Sequence, residues 1–267
     1  MKMNLCPLRL SGALVALLLG ACASAGTPTT APQLWLYGEQ HDQPDQQRQV
    51  AEAVTQLAAA GGLHAVVIEM AERGRTTAAL PPRADEAAVR EALAWSDGWP
   101  WVQYGPVVMA AVQAGVPVLG GNLPRAQMRA AMADAALDQR VTDTTRTQLT
   151  DEVRAGHCGL LPESQMAPMV RIQIGRDLAL AQTVAAALAT APPGRAVLLL
   201  AGAQHVSRDR GVPTHLDATL RATTRIVMFG SPVRGLVADE WRPSALTERP
   251  DPCEALKRQL EAGPTRR

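Results

Sequence analysis

Two short motifs in the sequence place a histidine three residues after a glycine. Residues 38–41 read Gly-Glu-Gln-His, and residues 202–205 read Gly-Ala-Gln-His. Each motif follows an apolar run typical of a buried strand, and a glycine lets the chain turn off such a strand at little steric cost. We therefore expect the imidazoles of His41 and His205 to point into one crevice, where they could bind a metal ion or position a ligand.

Further polar residues stand at the ends of other predicted strands. Glu39 lies inside the first motif, Glu69 ends the second strand, and Asn122 and Arg125 follow the third. Because ligands of open parallel sheets bind beyond the carboxyl ends of the strands, these side chains are expected at one rim. Arg125 could hold a carboxylate in a bidentate pair. The ordinary structural interpretation stays open: Glu69 would cap a helix, and Arg125 would pair with it.

The elements that position these residues alternate between strand and helix. Continuous apolar runs, typical of strands buried on both faces, are separated by stretches with helical periodicity. This pattern predicts an α/β fold: a mainly parallel sheet flanked by helices, with a smaller helical subdomain at about residues 140–190 inserted between strands three and four. The predicted strands are 34–37, 65–68, 116–119, 196–200 and 225–228, and the predicted helices are 45–60, 104–114, 125–137 and 143–189, the last with breaks at 156–159 and 162.

The amino terminus has the pattern of an export signal. A basic start is followed by an uncharged apolar run at residues 10–19, which is too short to span a bilayer. Leucine, glycine and alanine then precede Cys22, as in the lipobox of bacterial lipoproteins. We expect a signal peptide at residues 1–21, a lipid on Cys22 and a tether at 22–32. An ordinary signal peptide with a chance cysteine is the alternative.

The residue after Cys22 bears on the destination of the chain. It is alanine rather than the aspartate that commonly retains lipoproteins in the inner membrane. We therefore expect a membrane-anchored lipoprotein on the periplasmic side, at the outer membrane.

Composition limits the classes of partner. The net charge is +1, which gives no reason to expect nucleic acid as a partner. A hydrophobic fraction of 47% can fill the core of one large domain, although aromatic residues make up only 3%. Trp95, Trp99 and Trp101 fall within seven residues. They are interpreted either as the lining of a site for a flat ligand or as a local hydrophobic plug.

The cysteines divide into two groups. Cys6 leaves with the signal peptide and Cys22 takes the lipid, so Cys158 and Cys253 remain. An even pair in an oxidising compartment suggests a disulfide. The alternative is that Cys158 and His157 form half of a metal site, although zinc usually takes at least three ligands from protein.

The paired Gly-x-x-His motifs and the glutamate after strand two resemble the Tiki, TraB and erythromycin-esterase superfamily. Within it, the chain is similar to the ChaN-type haem-binding lipoproteins, in family order across a domain at residues 33–262. This resemblance implies haem binding without catalysis, a role in iron uptake with envelope haem-transport components, and a homodimer that can enclose haem. The stretches that carry it are 38–42, 104–106, 122–125, 157–159, 173–177, 202–205, 211–213 and 251–253.

The resemblance also implies a ligand set. Haem ligation in the family is associated with tyrosine assisted by histidine, and phenolate suits ferric iron. Tyr37 belongs to a predicted strand, which leaves Tyr104 as the expected iron ligand; its alternative role is packing beside the tryptophans. Family members often carry a further histidine after the first motif, and residues 42–47 have none. The expected ligand-binding residues are Tyr104, His41, His205, Glu39, Glu69, Asn122 and Arg125, with Arg73, Arg75 and Arg208 as further partners for propionates.

A second function uses the same residues. In a metal-dependent hydrolase of the Tiki kind, a peptidase or esterase, His41, His205, Glu39 and Glu69 would bind a divalent ion and activate water. The superfamily includes hydrolases, so the motifs alone do not separate the two functions.

Overall fold

The computed structural model describes residues 32–248 and 251–261. The predicted signal peptide, Cys22 and all of the tether except Pro32 lie outside the described residues, so lipidation stays a prediction. No helix in the described part of the chain is both long and apolar enough to cross a bilayer.

Six strands form one sheet in which all pairs are parallel. Their order across the sheet is β3-β2-β4-β1-β5-β6, which confirms the predicted parallel α/β fold. The sixth strand was missed, because its three residues carry no apolar run. The bounds are β1 Leu34–Glu39, β2 Leu63–Glu72, β3 Val118–Asn122, β4 Ala196–Gly202, β5 Thr224–Phe229 and β6 Glu240–Arg242.

Helices cover both faces of this sheet. One hydrophobic cluster joins α1 and α3 to side chains such as Val66 and Leu198, and a second joins α6 to their strand neighbours Val67 and Leu199. Successive residues thus face opposite layers, and each fully buried side chain contributes about 1.5–3 kcal/mol. The helices are α1 Pro44–Ala59, α2 Glu86–Ala92, α3 Trp101–Gln113, α4 Arg125–Ala133, α5 Asp143–Gly156, α6 Glu163–Ala189, α7 Ala203–Val206, α8 Ala218–Ala222 and α9 Pro252–Glu261, with 3₁₀ turns at Ala135–Arg140 and Val212–His215.

The helical insertion between β3 and β4 is present. α5 and the first half of α6 pack around a small core of their own, which includes Leu149, Val153, Met166, Val170 and Ile174. The side chain of Thr142 caps α5 by accepting a hydrogen bond from the Thr145 amide. The break between α5 and α6 falls where the sequence predicts it. The second half of α6 continues onto the sheet, so this helix connects the insertion to the main core.

A disulfide joins Cys158 and Cys253, whose Cα atoms are 5.5 Å apart. Cys158 lies in the turn between α5 and α6, where its φ of 57° is left-handed, and Cys253 lies in the first turn of α9. Because its sulfur is bonded to Cys253, Cys158 is not free to form half of a metal site with His157.

Candidate functional site

The structure brings the two motif histidines and two glutamates together at the carboxyl edge of the sheet. Glu39 ends β1, His41 follows it, Glu69 lies in β2, and His205 lies in the short helix after β4. Nε2 of His41 is 4.0 Å from Glu69 Oε2, and Nε2 of His205 is 3.5 Å from Glu69 Oε1. Glu69 therefore lies between the two imidazoles.

Each imidazole also bonds to a carboxylate through its other nitrogen. Nδ1 of His41 donates to Glu39 Oε1 at 2.5 Å, and Nδ1 of His205 donates to Asp177 Oδ1 at 2.6 Å. The five residues form a continuous row in the order Glu39, His41, Glu69, His205 and Asp177, which we name the Glu–His chain. All except His41 are buried.

Backbone and amide groups hold the carboxylates of the Glu–His chain in place. The Gly202 amide donates to Glu69 Oε2 at 2.8 Å. The side-chain amide of Gln47, which is buried on α1, donates to Glu39 Oε2. These bonds leave the two glutamates little freedom to turn towards another partner.

The motif glycines are required by close packing and not by a special backbone angle. Gly202 has φ −56°, which any residue can adopt. A Cβ atom there would lie 3.0 Å from the His41 ring, and one at Gly38 would lie 2.4 Å from a methyl carbon of Val206. The sequence-based explanation, a sharp turn off the strand, is therefore replaced by steric exclusion of a side chain where β1, β4 and α7 meet.

The opposite charges of the histidines and carboxylates in the Glu–His chain stabilise one another. Burial by itself would lower the pKa of His205, but the negative charges of Glu69 and Asp177 outweigh it and raise that pKa to about 9. Burial would raise the pKa of Glu69, but the charges of His205 and His41 lower it below its usual value. At neutral pH, His205 is therefore an imidazolium held between two carboxylates.

Tyr104 is buried beneath this chain. Its hydroxyl donates to the His41 carbonyl oxygen at 3.1 Å and lies 3.3 Å from Glu39 Oε1. Burial, followed by the negative charges of Glu39 and Glu69, raises its pKa well above the usual range. The phenol therefore stays protonated and bonded inside the protein, as the packing alternative expects.

The tryptophans pack as a plug over Tyr104. Trp99 meets the Tyr104 ring edge-on at 5.6 Å and the His41 ring at 4.8 Å, and Trp95 meets Trp101 at 4.8 Å. All three belong to the hydrophobic cluster beneath α1 and α3. Of the two interpretations of this cluster, the structure supports the plug.

A cavity of about 500 Å³ opens above the Glu–His chain. Such a volume is within the range of small-molecule and cofactor sites. Its polar lining includes the Glu–His chain, Gln173, Arg176, Gln204 and Glu152. A second part of the lining, which we name the outer wall, comes from α5, the turn after it and the loop after β5; it consists of Leu149, Val153, His157, Val233 and Leu236.

The profile of one protein family, described as "Haem-binding uptake, Tiki superfamily, ChaN", matches residues 30–216. The chain belongs to the ChaN haem-binding family. The resemblance inferred from the motifs is thus confirmed. No curated protein matches the chain.

One solved structure shares the fold of this ChaN-family chain, and two others match it at lower TM-scores. ChaN of Campylobacter jejuni, whose structure is described as showing cofacial haem binding, is 23% identical, with a TM-score of 0.64 over 78% of this chain and 86% of that one. The type III effector HopBA1 is 16% identical (TM-score 0.44; 80% and 88% of the two chains). An erythromycin esterase mutant, EreC H289N, is 14% identical (TM-score 0.46; 75% and 70%).

Asn122 and Arg125, two other predicted site residues of this ChaN-family chain, form hydrogen bonds with residues of β2. The Asn122 side chain donates to the Glu69 carbonyl oxygen at 2.9 Å and supports β2 from the end of β3. Arg125 begins α4 with an exposed side chain, and its backbone amide donates to Glu72 Oε1. Arg125 does not line the cavity.

The arginines proposed for propionates also lie elsewhere. Arg73 donates to Gln182, and Arg208 pairs with Asp239. The arginine that lines the cavity is Arg176 on α6, which sequence reasoning missed. Its Nε is buried without a hydrogen-bond partner among the described residues. Stretch 173–177, already matched to the family, was the available signal for both Arg176 and Asp177.

The described residues contain no group of three or more histidine, cysteine or acidic side chains arranged to hold a metal ion. His41, His205, Glu39 and Glu69 are close to one another. However, three of the four ring nitrogens of the two histidines already lie within 3.5 Å of a carboxylate oxygen. The geometry gives the metal-dependent hydrolase no support.

Proposed function

We propose that this chain binds haem in the cavity at the carboxyl edge of the sheet and serves haem or iron uptake. The observation that carries the proposal is that the cavity of a member of a haem-binding family is lined by both an apolar set and a polar set of side chains. Haem itself combines a flat apolar macrocycle with two carboxylate groups.

The outer wall fits the macrocycle. Leu149, Val153, Val233 and Leu236 give the cavity an apolar lining, in which Leu149 and Val153 are mostly buried and the exposed fraction of Val233 is 49%. Covering such a surface with a macrocycle removes it from water, at about 25 cal/mol per Å².

The polar lining fits a propionate at Arg176. No ion pair or hydrogen bond of its guanidinium occurs among the described residues, and burial of its Nε leaves one donor unsatisfied. A planar guanidinium binds a carboxylate through two parallel hydrogen bonds, which would satisfy that donor. Arg176 is thus the residue that would hold an acidic group of haem.

The Glu–His chain has a supporting role in this proposal. Both ring nitrogens of His205 face carboxylates, and the protonated imidazole has no lone pair to offer. These residues hold β1, β2, β4 and α6 together under the ligand. The haem iron supplies the coordination chemistry, and the protein handles haem without converting it.

Haem titration tests the proposal directly. Apo-protein titrated with hemin is expected to give a saturable shift of the Soret band. Arg176→Gln should weaken binding about tenfold, since it removes a charge-assisted pair. Arg146→Gln, on the exposed face of α5, is the matched control and should leave the affinity unchanged. Absence of a saturable Soret shift in the wild type would refute haem binding.

Anchoring at the envelope is the second part of the proposal. The lipobox at Cys22 and the following tether support a lipoprotein held on the periplasmic side of the outer membrane. Intact-mass analysis of protein expressed in a bacterium should show a diacylglyceryl group and loss of residues 1–21. Cys22→Ala should move the protein from the membrane to the soluble fraction. An unmodified mature Cys22 would contradict this part.

Dimerisation is the third part and follows from the family resemblance. Sedimentation of the apo-protein and of the hemin-loaded protein at equal concentration should show a dimer in the loaded sample. A monomer under both conditions would contradict it without affecting haem binding itself.

A further inference from the structure

His157 differs from the other histidines of the cavity in having no carboxylate partner among the described residues. It caps the carboxyl end of α5 and lies in the outer wall next to Val153. Its Nδ1 is 2.7 Å from the Val153 carbonyl oxygen. A carbonyl only accepts hydrogen bonds, so Nδ1 carries a proton, and in the neutral form of the ring the lone pair is on Nε2.

Nε2 of His157 is free to take a ligand. No hydrogen-bond partner for it occurs in the part of the chain that the structure describes, and it is not among the buried atoms that lack one. Histidines that bind metals usually donate their other ring N–H to a carbonyl or carboxylate, which fixes the tautomer and the ring plane. His157 has this arrangement through Val153, and His41 has it through Glu39.

The other iron-binding side chains at the site are engaged. His205 is held between Asp177 and Glu69, and the Tyr104 hydroxyl donates to the His41 carbonyl oxygen, so each would have to break a hydrogen bond to reach a haem iron. Nδ1 of His41 donates to Glu39, and its Nε2 lies 4.0 Å from Glu69 Oε2. An iron bound to His41 would therefore compete with that carboxylate for Nε2.

The turn that carries His157 is fixed from outside the cavity. The next residue, Cys158, is joined to α9 by the disulfide. The amide of Gly159 also donates to the Arg154 carbonyl oxygen at 2.9 Å, which closes the end of α5. The imidazole therefore stands on a covalently restrained turn.

We propose that Nε2 of His157 is the axial ligand of the haem iron in this chain. The inference rests on the proposed haem binding and replaces Tyr104 as the expected ligand. On binding, the Nε2 lone pair forms a bond to ferric iron, and a weakly held water or chloride leaves. No proton is released, because Nδ1 keeps its hydrogen on the Val153 carbonyl.

Replacing His157 by glycine and then adding free imidazole tests the assignment. Glycine is well tolerated at the end of a helix, so His157→Gly should fold, as checked by circular dichroism and by intact mass of the disulfide form. We expect its hemin affinity to fall at least about tenfold, with loss of the iron–imidazole stretch in resonance Raman spectra of the ferrous form. Millimolar imidazole should restore the spectrum.

Two variants serve as controls. Tyr104→Phe should keep the wild-type haem spectrum, and so should His64→Gly, which changes an exposed histidine bonded to Thr190. An unchanged spectrum and affinity in His157→Gly would overturn the ligand assignment while leaving haem binding intact. A phenolate-type spectrum that disappears in Tyr104→Phe would overturn it as well. Failure of the wild type to bind hemin would instead refute the proposed function.

Discussion

The Glu–His chain and the outer wall line one cavity but are built in opposite ways. In the first, ionisable groups that are buried except for His41 bond to one another, from Glu39 to Asp177. In the second, the side chains are apolar apart from His157, Val233 is half exposed, and Nε2 of His157 has no partner among the described residues. Groups that satisfy each other stabilise the fold, whereas unsatisfied groups at an open surface are available to a ligand.

This contrast predicts that the Glu–His chain contributes mainly to stability and the outer wall mainly to ligand binding. Removing one partner of a buried ion pair leaves an uncompensated charge and costs about 3–5 kcal/mol. Truncating a half-exposed apolar side chain costs the fold little, because that side chain is already partly in water. Substitutions in these two parts of the cavity lining should therefore affect different measurements.

The largest effect is expected for Asp177→Asn. This change leaves the His205 imidazolium with one carboxylate, and we expect the free energy of unfolding to fall by about 3–5 kcal/mol in urea denaturation. Asp151→Asn is the matched control, since Asp151 forms only an exposed pair with Arg154, and its effect should stay below about 1 kcal/mol. Equal losses in the two variants would show that the Glu–His chain contributes no special stability.

The next effect is a dependence of stability on pH. The folded-state pKa of His205 is about 9, above the usual value near 6.5, so its stabilisation is complete below about pH 6.5 and is lost as pH rises through 9. The loss should approach about 3 kcal/mol, measured by urea denaturation between pH 6 and 10. His205→Gln should flatten this part of the curve. The same slope in that variant would assign the dependence to another group.

The smallest effect belongs to the outer wall. Val233→Ser should weaken hemin binding about threefold to tenfold, because less apolar surface covers the macrocycle. The free energy of unfolding should change by less than about 1 kcal/mol. Val102→Ser is the control, since Val102 is 83% exposed and does not line the cavity. An equal loss of affinity in both variants would remove the outer wall from the binding site.

The sequence predicts the rim of the sheet better than the helices beside it. Parallel strands bring their carboxyl ends to one edge whatever their order, so Glu39, Glu69 and the two histidine motifs could be placed together before the order was known. All five predicted strands are present because their apolar runs are continuous, and β1, β4 and β5 were placed within two residues of their bounds. β2 continues four residues beyond the predicted end, so Glu69 lies inside it, and β3 ends three residues later than predicted.

The residues that were missed depend on packing over long sequence distances. Asp177 reaches His205 because α6 lies on the sheet, and no local pattern encodes that contact. Arg125 was expected at the rim, but the first turn of α4 leaves its side chain in solvent. The position of Tyr104 depends on α3 packing its ring under Trp99, which spacing alone does not reveal.

The bond between Cys158 and Cys253 has a consequence for assembly of the sheet. It closes a covalent ring that contains α6, β4, β5 and β6. In the folded sheet β1 lies between β4 and β5, yet β1 comes from the part of the chain before the ring. If the disulfide forms early, β4 and β5 inside the ring therefore cannot complete their pairing until β1 is inserted between them. The segment that begins at Leu34, just after the proposed tether, thus completes the sheet.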